Sequence, residues 1–165
     1  MRTFLVIDLQ KEFSFGNEEA YNKAVAFTKA AHKRGDIILA TRFINRKNSQ
    51  YVKRLKWSDC MNPAPLEIPF TKMVNKTAYG INPNWVMANQ KGPVYLYGCD
   101  TDACVLAAAF CLFDRNIDFY ILTDLCFSSG GILAHERAIH IMERQFGAKT
   151  LINKQETELS GRLYI

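Results

Sequence analysis

Short apolar runs recur along this chain at intervals filled by helical segments, and that alternation limits the folds open to it. Thr3-Phe4-Leu5-Val6-Ile7 is such a run. With no polar face it needs cover on both sides, as a strand of a parallel sheet has. Ile37 to Phe43, Val94 to Tyr97 and Asp118 to Leu122 repeat the pattern, with shorter candidates at Lys72 to Val74 and Lys149 to Ile152. Between the first two runs, Asn17 to Arg34 carries Ala20, Ala24, Phe27, Ala30 and Ala31 at helical spacing and closes at Gly35. Ile132 to Phe146 is a second amphipathic helix, closed by Gly147. Helices are also expected from Asn82 onward, from Cys104 to Asp114, and briefly around Ser49 to Trp57. Strand and helix in alternation predict an α/β fold: three layers, α/β/α, around a central, mostly parallel sheet with its ligand crevice at the strands' carboxyl ends. The proline-marked stretch from Asn45 to Phe70 is long for a connection, and such loops build lids or pocket walls.

Composition narrows the class. At 165 residues and 48% hydrophobic, the chain suits one domain over residues 1–165. No apolar run approaches the ~20 residues of a membrane span, and no leader pattern opens the chain, so a cytoplasmic protein is expected. Five cysteines without a CxxC pair fit free thiols in a reducing compartment. The net charge of +5 is spread out, densest at Lys53-Arg54-Leu55-Lys56. That patch is either a phosphate contact or a solvated helix face, and no nucleic-acid module accompanies it. No G-x-G-x-x-G follows a strand, which argues against dinucleotide binding.

Three polar groups fall at or just after strand ends. Asp8 follows the first apolar run, where it serves either in acid–base work or as a turn-forming carboxylate. Cys104 lies near a helix start, where unpaired N–H groups and the helix dipole are expected to lower a thiol's pKa; the other reading is a small buried hydrophobe. Lys76 is either a surface lysine or the ammonium that favours both a thiolate and an ionised carboxylate. Together, thiol, base and cation make a catalytic triad.

The stretches Val6-Ile7-Asp8-Leu9-Gln10-Lys11-Glu12-Phe13, Asn75-Lys76-Thr77-Ala78-Tyr79 and Gly98-Cys99-Asp100-Thr101-Asp102-Ala103-Cys104-Val105 resemble the isochorismatase-like cysteine hydrolases, a family that includes nicotinamidases. Leu122 to Ser129 and His135 to Gly147 extend the resemblance over nearly the whole length. It implies Asp8 as general base, Lys76 as the charge-stabilising lysine in preference to Lys72, and Cys104 as the nucleophile that forms an acyl-enzyme with a small amide. It also implies a cis peptide between Cys99 and Asp100, an oxyanion hole from the backbone amides of Asp100 and Cys104, a pocket involving Phe13, Asn45 and Tyr79, and a homo-oligomer. Asn45, Ser49, Tyr51 and Trp57 are expected in the cap. The Asp-x-His pair that holds a metal in nicotinamidases corresponds here to Phe43 and Asn45, so neither a metal nor another cofactor is expected. The partner is then a small-molecule substrate, with no nucleic acid and no membrane. Two other functions stay open: isochorismatase-type vinyl-ether cleavage, which needs the aspartate but not the thiol, and a non-catalytic binding or assembly module.

Overall fold

The computed structural model describes residues 1–153, so the last part of the expected domain, 154–165, lies outside the described residues. Six strands form one sheet: β1 (Thr3–Ile7), β2 (Ile37–Phe43), β3 (Lys72–Lys76), β4 (Val94–Cys99), β5 (Phe119–Phe127) and β6 (Leu151–Ile152). Their order is β3-β2-β1-β4-β5-β6 and every pairing is parallel, which sharpens the mostly parallel expectation. β1 is buried along its full length, as its unbroken apolar run requires.

The helices are α1 (Glu18–Lys33), α2 (Gln50–Leu55), α3 (Pro83–Met87), α4 (Leu106–Asp114) and α5 (Ile132–Phe146). The chain winds from β1 outward to β3, then returns to lay β4 on the other side of β1. Right-handed crossovers in opposite directions set α1 on one face and α4 with α5 on the other, giving three layers. Phe4 and Phe27 meet edge to face at 5.3 Å beneath α1, and Thr28 shares a 2.7 Å hydrogen bond with the Tyr97 hydroxyl. Among the described residues no helix is long and apolar enough to cross a membrane.

Several boundaries differ from the sequence expectation for physical reasons. β3 runs on to Lys76, past the expected end at Val74; an edge strand with Lys72 and Asn75 exposed carries no apolar signature to mark its length. β5 continues to Phe127, past a register shift between Leu96 and Gly98 of β4 that hides the continuity of pairing. Lys149 and Thr150 lie in a 3-10 turn (Ala148–Thr150), so the last strand is only two residues long. The helix expected from Cys104 opens instead with a π-helical turn, Thr101–Val105, whose Val105 amide reaches back five residues to the Asp100 carbonyl at 3.0 Å. Such turns widen the backbone and cluster at functional sites.

Candidate active site

Asp8, Lys76 and Cys104 converge at the carboxyl ends of β1, β3 and β4. Asp8 is fully buried immediately after β1, with φ of 45°, in the left-handed region. Its Oδ2 lies 2.7 Å from the Lys76 ammonium. Its other oxygen accepts from the Thr41 hydroxyl at 2.6 Å, and that hydroxyl accepts the Asp8 N–H at 3.1 Å. Lys76 Nζ also faces Cys104 Sγ at 3.2 Å and donates to the carbonyls of Ala78 and Tyr79 at 2.8 and 3.2 Å. Lys72, the rival lysine, is exposed near the start of the same strand.

The electrostatics follow from burial. Desolvation raises the Asp8 carboxyl above its ordinary range, against the opposing pull of Lys76 and the Thr41 hydrogen bond. Burial works against the Lys76 charge, but Asp8 and Cys104 more than offset it, and the ammonium is held above the ordinary lysine range. For Cys104 the structure corrects the expectation of a lowered pKa: burial and the Asp8 charge push the thiol up, and Lys76 only partly offsets them. Burial thus works against the Cys104 thiolate, and the Lys76 ammonium at 3.2 Å is the group that favours it.

Above Cys104 lies a cavity of about 200 Å³. Phe13, Phe43, Tyr51, Trp57 and Tyr79 wall it, with Phe13 and Trp57 stacked at 5.9 Å and Tyr51 edge to face with Tyr79 at 5.0 Å. The Lys76 ammonium stands 5.2 Å from the Phe43 ring, a cation–π contact. Of the residues expected in the pocket, Phe13 and Tyr79 are there and Asn45 is not. Asn45 is buried behind the wall, where its side chain donates to the Trp57 and Asp59 carbonyls at 3.1 Å and accepts from the Arg46 amide and the Ser49 hydroxyl. It pins the loop that presents Trp57. Ser49 caps α2, accepting from the Val52 amide at 3.3 Å.

Leu55, Ala103 and Ser129 also line the cavity, and sequence reasoning missed all three. Thr41 and Gln10 were missed as well. Gln10, buried three residues beyond β1, exchanges two hydrogen bonds with the Phe43 backbone, at 2.6 and 3.2 Å, fixing that residue's position. A polar Thr41 inside the apolar run of β2 was a usable signal. Thr41→Val is expected to move the acid limb of any pH–rate profile that depends on ionised Asp8 to higher pH. Removing a hydrogen bond to the charged form raises the carboxyl pKa, so more alkaline solution is needed to ionise it. Rate measurements across pH on the variant and the parent protein check this.

Positions 43 and 45 offer no metal site. The Phe43 ring packs against Tyr51 and Trp57, and the Asn45 amide is already hydrogen-bonded through both its oxygen and its nitrogen. Among the described residues no group of three His, Cys, Asp or Glu side chains is placed to hold a metal ion. The peptide bond from Cys99 to Asp100 is cis. The Asp100 side chain accepts from the amide and hydroxyl of Ser129, and the Asp100 carbonyl accepts from the amides of Ala103 and Val105, on either side of Cys104.

A thiol, a buried carboxylate and an ammonium thus meet under a small aromatic cavity at the strand ends of a parallel sheet, where open α/β sheets place their ligand crevice. The chain belongs to the isochorismatase family of hydrolases: the model of the isochorismatase domain matches residues 2–154. No protein of curated function matches it in sequence. Its fold is similar to that of the nicotinamidase of Bacillus subtilis, with a TM-score of 0.72 and 18% identity over 90% of this chain and 98% of the other. The pyrazinamidase of Pyrococcus horikoshii, solved in complex with zinc, gives 0.69 and 18% over 92% and 98%. An isochorismatase family protein of Desulfovibrio vulgaris gives 0.74 and 16% over 96% and 97%.

Proposed function

We propose that this protein hydrolyses a small amide through an acyl-enzyme on Cys104. The observation that carries the reading is the contact chain from Asp8 through the Lys76 ammonium, at 2.7 Å, to Cys104 Sγ, at 3.2 Å, beneath a cavity sized for a small molecule. As sulfur attacks the amide carbonyl, the thiol proton passes to Asp8, whose raised pKa makes it a stronger base than an exposed aspartate. Lys76 remains charged and stabilises the sulfur and carboxylate in turn. The oxyanion of the tetrahedral intermediate is received by the backbone amides of Asp100 and Cys104. The C–N bond then breaks, Asp8 returns its proton to the departing nitrogen, and a thioester remains. Water, deprotonated by Asp8, attacks the thioester, releasing the acid and regenerating the thiol.

The nicotinamidase and pyrazinamidase likenesses support an amide over another acyl donor. No step is assigned to zinc, since the donor set at positions 43 and 45 does not fit it. Incubation with a panel of small aromatic and aliphatic amides, acid quench and peptide mass mapping is expected to find an acyl mass on Cys104 alone. Cleavage of a vinyl ether, with no amide turnover and no adduct, that persists in Cys104→Ala and is lost in Asp8→Asn would replace this reading with vinyl-ether hydrolysis. A chain that turns over nothing and takes no adduct would be a binding module.

A further inference from the structure

Beyond the Tyr51 and Tyr79 rings the catalytic cavity meets a wider groove of about 740 Å³, and Tyr51, Leu55 and Tyr79 line both spaces. The groove differs from the cavity in chemistry. Arg46, Asn48, Gln50, Arg54 and Thr77 line it, and no carboxylate does. The Arg54 Nε donates to Gln50 Oε1 at 3.1 Å, one turn back on α2, which steadies the guanidinium. Among the described residues no carboxylate lies within ion-pair distance of Arg46 or Arg54. Two guanidiniums with no ion-paired carboxylate among the described residues, beside hydroxyl and amide groups on one concave surface, favour an anion.

Resting on the amidase reading, we propose that the substrate carries an anionic group, a carboxylate or a phosphate-type group, at the end remote from its amide, and that Arg46 and Arg54 bind it in this groove. The cavity at Cys104 admits only a small amide head; the groove supplies room and charge for the rest. Specificity then lies in the loop and helix between β2 and β3, not in the catalytic strands.

The test compares benzamides bearing a para carboxymethyl, phosphonomethyl or isobutyl group, the last being the apolar isostere of the first. The expected result is that kcat/KM favours one or both anions over isobutyl, and that Arg54→Ala or Arg46→Ala lowers that preference about tenfold each, the worth of one charge-assisted contact. Lys33→Ala, a charge lost from the far end of α1, leaves the preference unchanged, which separates a local contact from the general field. Tryptophan fluorescence, with Trp57 in the cavity wall, gives the dissociation constant of the same three compounds. If none is turned over, the amidase reading is in trouble while the binding preference still decides the groove. Equal rate and affinity for charged and isobutyl compounds, or a preference indifferent to both arginine variants, overturns the proposal.

Discussion

Cys104→Ala is expected to remove amide turnover by at least about 10⁴-fold, the scale seen when a nucleophile is deleted from a coupled catalytic set. The fold should survive it. Cys104 sits on a π-helical turn adjoining α4, and replacing its thiol with hydrogen deletes one buried atom while leaving the Asp8–Lys76 ion pair, at 2.7 Å, intact. The variant should therefore melt within a few degrees of the parent and lose the acyl mass on that peptide. Cys104→Ser is the sharper control. A hydroxyl keeps the shape and hydrogen bonding but is a far poorer nucleophile without strong activation, so it should stay inactive. Full activity in either variant, with the protein folded, would remove the covalent mechanism. Burial raises the Cys104 pKa, so alkylation of the parent protein is expected to be slow near neutral pH and to quicken as the pH rises, which mass spectrometry of the alkylated peptide checks.

The second large effect concerns stability. Gly98 lies opposite Ile7 across the β1–β4 pairing, with φ of +132°, and a Cβ there would sit 2.1 Å from the Ile7 carbonyl oxygen and 2.8 Å from its nitrogen. Both atoms are backbone, so no side chain can turn aside. Gly98→Ala must part β4 from β1 or bend the chain at Ile7, the residue before Asp8. The expected cost is about 4 kcal/mol or more, in the class of large backbone and overpacking effects. At roughly 2–4 °C per kcal/mol for a protein of this size, the midpoint should fall by about 10 °C or more. Activity should fall even in the folded fraction, because Asp8 is displaced from Lys76. Thermal melts beside single-temperature kinetics separate the two losses, and a melting point within a few degrees of the parent would show that the close approach is not obligatory.

Two of the three clustered polar residues were legible because each stands beside a pattern a sequence can carry. Asp8 ends an apolar run, and Cys104 falls between a buried strand and a small-residue helix. Lys76 needed the resemblance, since β3 is an edge strand whose mixed residues gave only three of its five positions away. The partners of these residues were harder to see. Thr41 touches Asp8 from 33 positions away, and Gln10 reaches Phe43 over the same distance; only the parallel register of β1 and β2 brings them together. Asn45 shows the converse failure. Its position after the second strand matched a ligand-bearing place, yet the loop turns its side chain toward backbone groups instead of the cavity. The pKa of Cys104 was misread for a related reason: a helix start lowers a thiol's pKa only where solvent or charge compensates burial, and depth cannot be read from spacing.

The order of the sheet has a bearing on how the protein comes into being. Asp8 and Lys76 belong to the part of the chain made first, whereas Cys104 follows β4, which slots in on the opposite flank of β1. A growing polypeptide that stops short of residue 94 thus holds Asp8 and Lys76 but not Cys104. The Asp8–Lys76–Cys104 cluster is therefore complete only once β4 lies against β1.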